Sequence, residues 1–179
     1  MMKNSRDGSP GADLQDVASG RRANHPGIVR RLLEQGGRTA SLSTLHRMVV
    51  VLRAKERSAR SMERRSAWRS IRAMAHMVLA RRRSRVALSD LHETLKTADR
   101  PLPEEFLSAA SMIGDIACLD ALAAAYATST EPVVGLWRRQ LADTFVDIVR
   151  REHLTRRHRD LKRVLTRWPA ITHALPKRL

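Results

Sequence analysis

Few side chains in this sequence have the types and spacing that chemistry needs: one thiol, seven histidines and some closely spaced carboxylates. Cys118 has no His or Cys near it in sequence and adjoins Leu119 on an apolar stripe, so it is expected to be a small core residue rather than a nucleophile. His153 and His158 lie five apart across a helix break expected at Thr155, beside Glu152 and Asp160. A metal there would need further ligands that the sequence does not place, so solvated or capping roles are expected. His76, between Ala75 and Met77, fits the edge of a core. Asp143 and Asp147, at i and i+4, have Arg139, Arg150 and Arg151 for ion pairing, a simpler account than acid–base catalysis. Glu104 and Glu105 suit a helix start. The sequence contains no P-loop, G-x-G-x-x-G, G-x-S-x-G or H-E-x-x-H motif. The expectation is a protein that is not an enzyme and holds neither cofactor nor metal.

Basic residues dominate instead, with 34 Lys+Arg against 18 Asp+Glu and a net charge of +16. The excess is uneven. Residues 53–85 carry 12 basic and 2 acidic residues, 86–137 carry 2 and 8, and 138–179 carry 12 and 4. Arg65, Arg69 and Arg72 follow i, i+4, i+7 and would form one positive helix ridge; Arg138 and Arg139 stand in the second block. These five are the expected partner contacts. A surface for an acidic partner is one meaning of the charge. A solvated face written in Arg by coding bias is the other, since 29 of the 34 basic residues are Arg. Each Trp adjoins an Arg (Trp68-Arg69, Trp137-Arg138, Arg167-Trp168), but each lies on an apolar stripe, so core anchoring is expected over base stacking.

With 42% hydrophobic residues the chain is too apolar to be a disordered polycation, and its longest strongly apolar run, Met48 to Leu52, is far short of a bilayer span. The lone cysteine forms no internal disulfide, and no apolar stretch of signal-peptide length opens the chain, so a reducing cytoplasm is expected. Arg21-Arg22 is not followed by the uninterrupted apolar stretch of a twin-arginine signal, because Arg30 and Arg31 intervene.

Residues 1–23, with Gly8, Pro10, Gly11 and Gly20 among polar neighbours, predict a disordered tail before one helical domain at 24–179. Apolar residues then recur at helical spacing. Ile28 to Leu33 mark a short helix stopped at Gly36-Gly37, and Ser41 or Ser43 caps a second through Leu45, Met48, Val49 and Leu52. Trp68, Ile71, Ala75, Val78 and Leu79 mark a third between Ser61 and Arg81, and Leu88, Leu91 and Leu95 a fourth ending near Asp99. Pro103 opens a fifth, buried at Phe106, Leu107, Ala110 and Ile113 and closed by Gly114; Asp115 caps the sixth. Trp137, Leu141, Phe145, Ile148 and Val149 form the seventh, and Thr155 caps an eighth carrying Leu161, Val164, Leu165 and Trp168, stopped by Pro169.

Within this all-α pattern, residues 106–149 carry Ile113-Gly114-Asp115, Leu119 with Leu122, the turn Glu131-Pro132, and Trp137-Arg138 with Leu141-Ala142. Together they resemble a HEAT repeat, although Glu131 stands where that family often has Asp and Trp137 where it usually has Val. The resemblance implies a short α-solenoid of antiparallel helix pairs; an irregular helical bundle is the alternative. It further implies a scaffold for protein–protein interaction with a partner whose identity the sequence does not give; the basic blocks, not the resemblance, suggest an acidic one. The two basic blocks support a second function class, a nucleic-acid-binding helical module. A solenoid of barely three units would be either a minimal array or the C-terminal end of a longer one.

Overall fold

The structure, a computed structural model, describes residues 10–21, 25–129 and 134–175. These residues form α-helices, short connectors and a final 3-10 helix, with no strand among them. The helices are α1 (Pro10–Ala18), α2 (Pro26–Gly36), α3 (Leu42–Ser58), α4 (Met62–Arg81), α5 (Leu88–Lys96), α6 (Glu104–Ile113), α7 (Ile116–Thr128), α8 (Val134–Arg151) and α9 (Arg159–Arg167); the 3-10 helix spans Pro169–Ala174. None of the helices is long and apolar enough to cross a membrane. The fold class expected from periodicity, all-α, is the observed one.

Rather than one domain over 24–179, the chain divides into two compact units, Met1–Val78 and Leu79–Leu179. In the first, α1 packs on α2 and on α3. Arg30 of α2 reaches Ser70 of α4, and Glu56 of α3 is bound by Arg69 and Arg72 of α4. First helix therefore neighbours first helix, and second neighbours second, across two consecutive pairs. The expected tail at 1–23 is corrected here: Pro10–Ala18 is helical, with Leu14 and Val17 fully buried. Two such apolar side chains contribute about 1.5–3 kcal/mol each on burial, enough to dock a short helix whose composition alone is unpromising. The remainder of that expected tail, residues 1–9 and 22–23, lies outside the described residues.

Local signals fixed several boundaries. Ser41 caps α3 by accepting from the Thr44 N–H at 3.0 Å, and Asp115 caps α7 by accepting from the Ala117 N–H at 3.0 Å. His25 Nδ1 accepts from the Gly27 N–H at 3.3 Å, and Pro26 occupies the first turn of α2. The first unit buries Val29, Leu33, Leu45, Met48, Leu52, Trp68, Ile71 and Ala75. His76 is fully buried among them, deeper than a core-edge position.

In the second unit α5 packs on α6 and α7, α6 on α8, and α7 on α8 and α9. Consecutive pairs again stack like on like. Phe106, Ala110, Leu119, Leu122, Leu141, Phe145 and Ile148 fill the space between them. Gly114 sits where the end of α6 presses on α8: an added Cβ would lie 2.5 Å from the Ala110 carbonyl oxygen and 3.0 Å from Ile148 Cδ1. The Ile-Gly-Asp sequence thus gives a close approach and then a cap for the next helix. The turn at Glu131-Pro132 lies outside the described residues.

Both ends of α9 differ from expectation. His158, not Thr155, precedes α9; the Thr155 carbonyl accepts instead from the His158 N–H at 2.9 Å. Trp168 follows α9 as its C-cap, and Pro169 opens the 3-10 helix. Both α4 and α8 end in 6→1 closures, Ser84 N–H to Leu79 and Leu154 N–H to Val149, at 3.0 and 2.9 Å. The residue each turn requires at positive φ is Arg83 (φ 53) or His153 (φ 52), where glycine is the usual occupant.

Candidate functional site

The three residues Ala59, Arg60 and Ser61 connect α3 to α4, and the polar chemistry of the first unit gathers around them. At the α4 side, Ser61 Oγ accepts from the Arg64 N–H at 3.2 Å and the Ser61 carbonyl from the Arg65 N–H at 3.0 Å, so Ser61 caps the helix. At the α3 side, the Ser58 hydroxyl donates to the Lys55 carbonyl at 3.3 Å. A short connector holds the end of one helix against the start of the next.

Glu56 lies inside this junction and is only 7% exposed. Arg69 Nε donates to its Oε1 at 2.6 Å, while Arg72 donates to Oε2 from Nε at 3.0 Å and from a terminal nitrogen 2.9 Å away. Arg72 is itself 3% exposed. Arg65 turns the same way, donating to the Ala59 carbonyl at 3.3 Å. The expected exposed ridge of Arg65, Arg69 and Arg72 is therefore corrected: the row faces α3, Arg72 is buried, and its work is to satisfy a buried carboxylate and the end of a helix. A burying partner 13 to 16 residues away is invisible to helical spacing, which assigns a charged row to solvent by default.

With Glu56 drawn inward, the basic residues beside it are left without a counter-charge. Lys55, Arg60 and Arg64, together with the hydroxyls of Ser58 and Ser61, line a cleft of about 520 Å³. Among the described residues no carboxylate pairs with any of the three cations. Lys55 Nζ stands 5.3 Å from the Trp68 ring centroid, a cation–π contact that leaves its charge facing the cleft wall. A second cleft of about 530 Å³ shares Ser61 and Arg64 with the first and continues past Glu63 and Ala67 to Arg30 and His25. The two form one trough along the starts of α2 and α4 and the end of α3. Exposed Arg60 and Arg64 stand at its middle.

The second unit uses its arginines differently. Arg151 of α8 donates to the carbonyls of Ala110, Ser111 and Gly114, so one guanidinium satisfies the orphan acceptors at the end of α6. Glu152 accepts from Arg151 and from Arg85, the latter at 2.6 Å. Burial opposes its charge, but the hydrogen bonds from Arg85 and Arg151 outweigh that, and its carboxyl titrates below the usual glutamate range. Arg138 is half-buried over the Tyr126 ring at 4.3 Å, so of the expected contacts there only Arg139 is exposed. Arg167 lies 3.3 Å from Asp120, which also accepts from the Trp168 indole at 3.0 Å. Trp68 and Trp137 are core residues, as their stripes implied; Trp168 is half-buried.

Cys118 is fully buried, and its burial, opposed by a hydrogen bond from the Asp115 backbone, pushes the thiol up to about 11. A thiol so placed is not a nucleophile at neutral pH. No group of three His, Cys, Asp or Glu side chains suited to a metal occurs among the described residues. What the trough can do chemically is hold anions: it offers guanidinium, ammonium and hydroxyl donors converging on a concave surface.

Sequence reasoning placed Lys55, Arg60 and Arg64 in a basic block without singling them out, passed over Glu56, and gave Arg151 to Asp143 and Asp147, whereas it binds the carbonyls ending α6 and Glu152. The signal that could have found the trough is Ser58-Ala59-Arg60-Ser61, a connector too short to separate the two helices and flanked by hydroxyls. No family model, curated protein or solved structure matches the chain.

Proposed function

We propose that this chain is a non-enzymatic, HEAT-like helical-repeat module that binds an anionic macromolecule through the basic trough of its first unit. One observation carries the reading: Glu56 is locked inward by Arg69 and Arg72, while Lys55, Arg60 and Arg64 line an open cleft with no carboxylate partner among the described residues. Unneutralised charge in a concave surface focuses positive potential and raises the local concentration of anions. The HEAT-like assignment is supported by the Ile113-Gly114-Asp115 turn, by the buried Leu119 and Leu122, and by the like-on-like stacking of helix pairs within each unit.

An acidic protein segment is the partner a repeat scaffold of this kind suits; on the second unit, by itself, exposed Arg139 is available as a contact. The phosphate backbone of nucleic acid is the second reading, favoured by the cleft between α3 and α4, whose lining is mainly cations and hydroxyls. The buried thiol of Cys118 suits a reducing cytoplasm. Heparin chromatography tests the common core of these readings. The triple substitution Lys55→Ala, Arg60→Ala, Arg64→Ala is expected to elute at clearly lower salt than Arg31→Ala, Arg38→Ala, Arg47→Ala, which removes the same charge elsewhere on exposed positions of the same unit. Equal elution of the two variants would show bulk charge, not the trough, to be responsible.

A further inference from the structure

Resting on the reading of the trough as an anion site, we propose that its occupant is the backbone of single-stranded nucleic acid, bound through phosphates with little regard to sequence. Three features support a phosphodiester strand over an acidic peptide. The donors are of the kind phosphate oxygens take, two guanidinium groups and an ammonium interleaved with the hydroxyls of Ser58 and Ser61. The two clefts adjoin, because Ser61 and Arg64 line both and Arg30 lines the second, so more than one anionic group can be held by neighbouring donors. And the cleft between α3 and α4 offers little apolar surface, since Trp68 is 3% exposed and Ala59 8%; apolar side chains such as Pro26 and Ala67 line only the far cleft, where Glu63 also stands. A peptide held there would lack the apolar anchors that centre most protein interfaces, whereas nucleic-acid interfaces are polar and strongly positive.

The same burial of Trp68 sets the specificity. An indole covered by the helices and by Lys55 has no free face on which a base could stack, so bases would point away and contribute little. The form of the occupant follows from flexibility: clefts of about 530 and 520 Å³ suit a strand that can bend successive phosphates inward, whereas a rigid duplex would meet only their rims.

Fluorescence anisotropy on the full chain tests this with three labelled probes: a twenty-nucleotide oligo-dT, a duplex of mixed sequence and a poly-Glu peptide of matched charge. Oligo-dT is expected to bind tightest, with mixed-sequence single strands within about threefold, and with log affinity falling against log salt at a slope of about −2 to −3, the value for three or four phosphate contacts at about −0.7 each. Arg60→Ala with Arg64→Ala is expected to weaken oligo-dT binding at least tenfold and to flatten the slope by about 1.4, while Arg38→Ala with Arg47→Ala changes neither by half as much. Poly-Glu or duplex binding more tightly than oligo-dT, with the same dependence on Arg60 and Arg64, overturns the single-strand assignment and leaves the anion trough standing. Binding of any probe that is indifferent to Arg60 and Arg64, or no binding at low salt, overturns both.

Discussion

Arg72 Nε donates to Glu56 Oε2 at 3.0 Å in the closed junction of α3 and α4, and both side chains are almost wholly buried. This pair decides the character of the first unit. It removes the acid of the α3 end from the surface, so that Lys55, Arg60 and Arg64 make no ion pair there among the described residues and Glu63 is the carboxylate that lines the trough.

Removing one member of a buried pair is worse than removing both, because the survivor stays charged in a poor solvent. Glu56→Ala is expected to cost about 3–5 kcal/mol in urea-induced unfolding. Glu56→Leu combined with Arg72→Met is expected to recover more than half of that loss. A cost under about 1 kcal/mol for Glu56→Ala would show that the pair contributes no structural support.

The helix closures at Arg83 and His153 carry the backbone cost of a positive φ in a residue with a Cβ. His153→Gly is expected to stabilise the protein by about 1 kcal/mol by relieving it, visible as a higher urea midpoint with an unchanged slope. A lower midpoint would mean that the imidazole makes a contact worth more than the strain.

Cys118 supplies a pH signature. Its thiol is raised from 9.0 to about 11 in the folded protein, so the folded state keeps a proton that the unfolded chain gives up. Stability from this group is whole below pH 9, declines by up to about 1.4 kcal/mol per pH unit between 9 and 11, and then levels off. Cys118→Ala is expected to remove that part of the alkaline decline, although its cavity lowers stability at every pH. A thiol-specific disulfide reagent at pH 7.5 should label nothing in the native protein and one thiol on unfolding; rapid native labelling would contradict the buried site.

Glu152 acts at the other end of the scale. Its folded carboxyl titrates below its unfolded value, so its stabilisation is present above the ordinary glutamate pKa of 4.5 and is lost as pH falls through the lower folded value. The melting temperature is expected to fall as pH drops below about 4.5, and Glu152→Gln to flatten part of that fall. An unchanged acid limb in the variant would place the loss at other carboxylates.

Much of the fold was legible in the sequence because its signals are local. Ser41 and Asp115 cap the helices they were expected to cap, Gly114 closes α6, and the apolar stripes of α3, α4, α7 and α8 face inward. Helix α1 was not legible, since Leu14 and Val17 are too few to show a period and become meaningful only when α2 and α3 cover them. The end of α4 at Arg81 fell where it was expected, but the left-handed turns that close α4 and α8 were not legible, since Arg83 and His153 are not glycines. The charge pattern misled for a different reason. Spacing says which arginines share a helix face, but whether Arg65, Arg69 and Arg72 meet water or a carboxylate depends on Glu56, a residue of another helix. Lys55, Arg60 and Arg64 gained significance from the same contact.

The most direct measurement is an NMR titration of the isotope-labelled chain with a short oligonucleotide or acidic peptide, following every backbone amide at physiological salt. The expected result is a saturable set of shifts centred on Lys55, Arg60, Ser61 and Arg64 and extending to Arg30, absent in Arg60→Ala with Arg64→Ala. Shifts centred instead on the α8 surface around Arg139, or saturable shifts that survive the double substitution, would contradict the trough as the binding site.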